Sequence, residues 1–101
     1  VNKLVLLEDA VIEWQNSVDW YEAQSPGLGI RFAEVIETKI QLIAEKPLQF
    51  PKRKLNFREA IVNVFPFSII FEFNSKNREV IITSIFHNKR SPKGKFKRKK
   101  P

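Results

Sequence analysis

Residues 57–92, FREAIVNVFPFSIIFEFNSKNREVIITSIFHNKRSP, decide the fold. Phe67, Ile69, Phe71 and Phe73 recur at every second position, which places them on one face of a strand over 67–73. Residues 80–86 form a further strand, apolar on both faces apart from Thr83 and Ser84, a pattern suited to a central place in a sheet. Between them Asn74, Ser75, Lys76 and Asn77 make a polar turn of hairpin length. Upstream, 57–64 reads as another strand, ended by Pro66, which has no N–H to give to a ladder. The stretch also holds Arg58, the single histidine of the chain, His87, and the start of a basic tail.

Working outward, residues 3–7 (KLVLL) have strand length and are followed by Glu8 and Asp9, whose carboxylates suit the positive end of a helix. From Ala10 the spacing changes. Val11, Trp14, Val18 and Tyr21 make one stripe of a helix over 10–24, with Glu13, Gln15, Asp19 and Glu22 mostly off it. Ser25 and Pro26 read as the cap and first residue of a second helix. Its apolar positions Leu28, Phe32, Ile36, Ile40 and Ile43, helped by Val35, run until Lys46 and Pro47. So short a connection makes the two helices an antiparallel hairpin. Residues 47–56, with Pro47, Pro51 and the cluster Lys52, Arg53 and Lys54, read as a loop.

The order strand, helix, helix, strand, strand, strand predicts an α+β domain, a helical hairpin packed on a mostly antiparallel sheet. At 101 residues and 43% hydrophobic composition the chain suits one core. We expect a single domain over 1–90 and a mobile basic tail over 91–101. The absence of cysteine excludes disulfides and thiolate metal sites, and no metal or cofactor is expected. No apolar run nears the roughly 18 residues that span a bilayer, and no signal-peptide layout opens the chain. These features suit a cytoplasmic protein without a membrane partner.

Charge is unevenly spread. From His87 onward there are eight basic residues, Lys89, Arg90, Lys93, Lys95, Lys97, Arg98, Lys99 and Lys100, and no acid. Removing them from the net +7 leaves the first 86 residues at −1. A polyanion-binding surface, with Lys52, Arg53, Lys54, Lys89, Arg90, Lys93, Lys95, Lys97 and Arg98 as its candidates, belongs in the C-terminal half. Trp20 lies off the stripe of its helix, and Phe96 sits within the tail; both are candidate partner-binding residues.

Metal-independent RNA cleavage needs a proton acceptor, a proton donor and cations around one phosphate. His87, Arg58 and Arg90 are the candidates for that chemistry, with Glu59 or Glu72 as a carboxylate base. A lone histidine at a strand end is, however, more often a structural residue. In a regular last strand His87 shares a face with Ile81, Thr83 and Ile85, and a bulge would change that parity, so sequence does not put Arg58 and His87 on one face.

Several motifs resemble one family in order along the chain: Trp20-Tyr21, Ser25-Pro26, Arg31-Phe32, Pro47, Phe50-Pro51, Phe57-Arg58-Glu59, 65–72 (FPFSIIFE) and 86–90 (FHNKR). With this set the chain resembles the RelE/ParE superfamily of toxins from bacterial type II toxin–antitoxin systems, and its Phe-His-x-x-Arg ending is closer to the ParE-like branch. The resemblance implies a growth-inhibiting toxin neutralised by a cognate antitoxin. ParE-like members act on DNA gyrase and RelE-like members cleave mRNA on the ribosome, so the enzyme assignment stays open between them. Ribonuclease toxins often place a tyrosine near the C-terminus, whereas here none follows Tyr21. A non-toxic module that retains antitoxin binding is a third possibility.

Overall fold

The computed structural model describes residues 2–90 and 93–97. Strand β1 (Lys3–Leu6) leads into helices α1 (Glu8–Gln24) and α2 (Leu28–Glu45), a 3-10 turn at Pro47–Gln49, and strands β2 (Arg58–Ile61), β3 (Phe67–Asn74) and β4 (Glu79–His87). The sheet order is β1-β4-β3-β2; β1 runs parallel to β4, and the other pairs are antiparallel. The two-sided apolar pattern of β4 thus reflects a strand with neighbours on both sides.

The hairpin covers one face of the sheet. Phe32, Ile36, Ile40 and Ile43 of α2 are buried against Ala60, Phe67, Ile69, Phe71, Val80, Ile82 and Ile85, while Trp14, Val18 and Tyr21 of α1 pack at the margin. Within that layer Phe32 lies 4.8 Å from Phe67 and 5.0 Å from both Tyr21 and Phe65, ring centre to ring centre. Edge and tilted contacts of this kind add to the area that each ring buries.

The second helix starts differently from the sequence expectation. Ser25 ends α1, its N–H donating to the Tyr21 carbonyl, and Gly27 at φ 89° precedes Leu28. The cap of α2 comes from across the turn: the Glu22 carboxylate accepts from the N–H groups of Gly27 (2.8 Å) and Gly29 (2.9 Å). It satisfies open donors and sets a negative charge at the positive end of α2.

The expected strand over 57–64 is shorter, because the chain reverses over 63–66, between Val62 and Phe67. Val62 N–H donates to the Phe67 carbonyl and Phe67 N–H to that of Phe65, with Val64 in the left-handed region at φ 78°. A second irregularity lies within the β3–β4 ladder. Ile70 pairs with Ser84 and Phe71 with Ile82, so Thr83 is an extra residue, and its hydroxyl donates to the Ile70 carbonyl. This bulge shifts parity in mid-strand: Val80 and Ile82 before it, and Ile85 and His87 after it, all oppose the core residues of β3.

Candidate functional site

A cavity of about 420 Å³ opens between α1 and the C-terminal end of β4. Glu13, Ser17, Trp20 and Tyr21 form its helical wall, and Phe67, His87, Lys89 and Arg90 form the other. The walls meet through Glu13, whose Oε1 accepts from the Ser84 hydroxyl (2.9 Å) and the Ile85 N–H (3.1 Å). β1 pairs with β4 only as far as Ile82, so this carboxylate takes up a β4 donor beyond the end of β1.

His87, half-buried in the second wall, is edge-on to Phe67 at 4.9 Å, and its Nδ1 accepts from the Lys89 N–H at 3.1 Å. Burial first, then the neighbouring Arg90 and Lys89 charges, push its pKa below the ordinary histidine value. The resulting imidazole is neutral at pH 7, with Nδ1 as acceptor. Burial also raises the Tyr21 pKa and keeps the phenol protonated. Trp20, 59% exposed, meets Tyr21 edge-on and completes an aromatic rim beside two exposed cations.

Arg58 lies elsewhere. It pairs with Phe71, whereas His87 pairs with Phe67, so both register on the helix-bearing face but four residues apart along β3, about 13 Å at 3.3 Å per residue. The Arg58 guanidinium donates to the Phe50 carbonyl at 2.7 Å, and the residue lines a separate groove with Lys52 and Glu72.

The opposite face of the sheet carries Glu59, which pairs with Ile70 and is buried. Its carboxylate meets Lys95 Nζ at 2.8 Å and Arg53 Nε at 3.2 Å, and accepts from the Ser68 hydroxyl at 2.6 Å. Burial alone would raise the Glu59 pKa. The hydrogen bonds from Lys95 and Ser68 and the charges of Lys95 and Arg53 outweigh it and hold the group below the ordinary glutamate value.

The sequence candidates therefore fall into three places. His87, Lys89, Arg90 and Trp20 share the cavity, Arg58 and Lys52 share the distant groove, and Arg53 and Lys95 turn to Glu59. Lys54, Lys93 and Lys97 are exposed, and Phe96 is half-buried with its ring 6.5 Å from Phe57. Arg98, Lys99 and Lys100 lie outside the described residues, as do Ser91, Pro92 and Pro101 of the tail. Among the described residues no group of three or more histidine, aspartate or glutamate side chains is placed to hold a metal ion, and no helix is long and apolar enough to cross a membrane.

The family model for the ParE toxin of the type II toxin–antitoxin system parDE matches residues 4–92. The chain belongs to the ParE toxin family. Solved structures share the fold. A chromosomal ParDE toxin–antitoxin system from P. aeruginosa superposes with a TM-score of 0.75 at 18% identity, covering 85% of this chain and 95% of that one. The intact E. coli RelBE complex gives 0.68 at 16% identity over 89% and 100% of the two chains, and isolated E. coli RelE gives 0.67 at 17% over 90% and 88%. A search among curated proteins found no match.

On this ParE-family scaffold the cavity wall includes Glu13, Ser17 and Tyr21, none of them a site candidate from sequence: Glu13 reads as an off-stripe polar residue and Tyr21 as core. Glu13, Ser17 and Trp20 are spaced i, i+4, i+7, so they share a helix face beside the apolar stripe, and that spacing is the signal that finds the cavity wall.

Proposed function

We propose that this ParE-family toxin arrests growth by acting on a protein, DNA gyrase, and that a cognate antitoxin binds and silences it. The observation that supports the protein-directed route is the distance of Arg58 from His87, about 13 Å along the sheet. Phosphodiester cleavage needs its acid, base and cation around one phosphate, with the proton-transfer groups within about 3 Å of the atoms they serve. Of the two carboxylate candidates, Glu59 lies on the other face of the sheet, held by Lys95 and Arg53, and Glu72 lines the groove of Arg58, away from His87. The gyrase target is the one that the ParE-like branch implies. For the antitoxin, exposed Trp20 beside Lys89 and Arg90 offers an aromatic anchor and a charge complement to an acidic segment.

Induced expression without antitoxin is expected to stop growth and raise the DNA-damage response, and the purified chain is expected to inhibit supercoiling by gyrase. Normal growth together with unaffected gyrase overturns the proposal; if the chain still binds its antitoxin, it is a non-toxic module of the same fold. One observation favours a second reading. His87, Arg90 and Tyr21 border a single cavity, which gives ribosome-dependent mRNA cleavage a neutral imidazole, a phosphate clamp and a phenol in one place. Cuts mapped in translated messages that disappear in His87→Ala and Arg90→Ala would establish that route.

A further inference from the structure

The helical hairpin leaves the other face of the sheet to be covered by something else, and near Glu59 residues 93–97 lie over it. Lys95 is turned inward there, with only 15% of its side chain exposed, while Lys93 and Lys97 on either side of it are exposed. Its ammonium lies 2.8 Å from Glu59 Oε2 and 2.9 Å from Asn88 Oδ1. The Phe86 and Phe96 ring centres lie at 5.4 and 5.6 Å. A carboxylate, an amide oxygen and two aromatic rings are the surroundings that a compact ammonium takes, with its three N–H donors and its attraction to ring faces. A planar guanidinium fits such a cage less well.

Most of this cage belongs to the sheet and not to the segment that fills it. Glu59 is on β2, Phe86 on β4 and Asn88 just beyond β4; of the four groups around the ammonium only Phe96 arrives with the segment. The sheet-borne groups are also fixed by one another. Asn88 Nδ2 donates to Ser68 Oγ at 2.9 Å, Ser68 Oγ donates to Glu59 Oε2 at 2.6 Å, and Arg53 holds the other carboxylate oxygen at 3.2 Å. These contacts do not depend on Lys95.

We propose that this cluster is a binding site for a primary alkylammonium, with the chain's own Lys95 as its resident ligand, fastening residues 93–97 to the back of the sheet. The site lies on the opposite face from the cavity and is independent of which target the toxin acts on. It also withdraws Lys95 from the cations available to a polyanion.

The test empties the site and offers a substitute. Lys95→Ala is expected to lower Tm by more than about 4 °C, the order of shift that a domain of this size shows for loss of one such contact. Millimolar n-butylammonium chloride should restore part of the loss saturably. Tetramethylammonium chloride, which has no N–H donor, should not, nor should either salt affect the wild type in this way. Adding Glu59→Gln to Lys95→Ala should abolish the rescue. An unchanged Tm in Lys95→Ala, or equal responses of variant and wild type to both salts, overturns the proposal. If Lys95→Ala does not fold, nitrogen-detected NMR of the wild-type lysine side chains decides. One ammonium with slowly exchanging protons, lost in Lys95→Arg, is expected, and rapid exchange for every lysine refutes the site.

Discussion

Gly29 packs directly against Val18 and Glu22 of α1, and replacing it with alanine tests the packing of the hairpin. A Cβ built there would lie 2.5 Å from the Val18 carbonyl oxygen, 2.8 Å from Glu22 Cβ and 2.9 Å from Glu22 Oε1. The first contact is with helical backbone, which cannot rotate away, so α1 and α2 must separate. Overpacking of this kind costs about 1–3 kcal/mol, and displacing Glu22 from the start of α2 removes a cap of about 1 kcal/mol. Against this, alanine in a helix gains at most about 1 kcal/mol over glycine. The balance is a loss of about 2 kcal/mol, which lowers Tm by roughly 8–16 °C at about 4–8 °C per kcal/mol. Gly27→Ala is the control. Nothing lies within 4 Å of its added Cβ, but its φ of 89° is left-handed, so it should lose only the roughly 1–2 kcal/mol of that backbone conformation. Glu22→Ala combined with Gly29→Ala should stay destabilised, because the Val18 carbonyl remains. Urea unfolding followed by circular dichroism measures all three. A Gly29→Ala chain as stable as the wild type would refute the close approach of the helices.

Three further outcomes are expected. Phe32 is fully buried among Tyr21, Phe65 and Phe67, so Phe32→Ala should cost about 3–5 kcal/mol in urea unfolding, a large share of a small domain's stability. His87 has a folded pKa below its unfolded value near 6.5. Its contribution is therefore complete above about pH 6.5 and is lost as pH falls through the folded pKa, and His87→Gln should flatten that slope. NMR titration of the imidazole in Lys89→Ala and Arg90→Ala should show the pKa moving back up as each positive neighbour is removed. Glu59 follows the same sign in a more acidic window: its stabilisation is full above about pH 4.3, the ordinary glutamate value, and is lost as pH falls through its depressed folded pKa. Acid unfolding of Glu59→Gln should lack that component.

The parts of the fold that were legible in the sequence are those in which local geometry imposes a period. Phe67, Ile69 and Phe71 had to share a face because a strand repeats every two residues, and Phe32, Ile36, Ile40 and Ile43 because a helix nearly repeats every four. Features without a period were not legible. Thr83 looks like any strand residue, yet as the extra residue of the β4 bulge it decides that His87 faces the helices. Ser25 and Pro26 carry a strong helix-start signal, but the start of α2 is capped from Glu22 on the preceding helix, a partner that only the tertiary turn supplies.

The same distinction governs the candidate site, and it changes what the charge of this chain means. A count along the sequence gives every lysine and arginine equal standing, so the C-terminal half reads as a single basic surface. In the fold, a buried carboxylate on the back of the sheet takes Arg53 and Lys95, a backbone carbonyl takes Arg58, and Lys89 and Arg90 stand beside a neutral imidazole. Burial explains the difference: Glu59 is inaccessible and would be costly to leave unpaired, so nearby cations are drawn to it before any ligand arrives. The positive charge left at the rim of the cavity is local and lies next to an exposed tryptophan. An aromatic ring with two cations in reach has the makeup of a rim that takes an acidic protein segment, one anchor beside one charge.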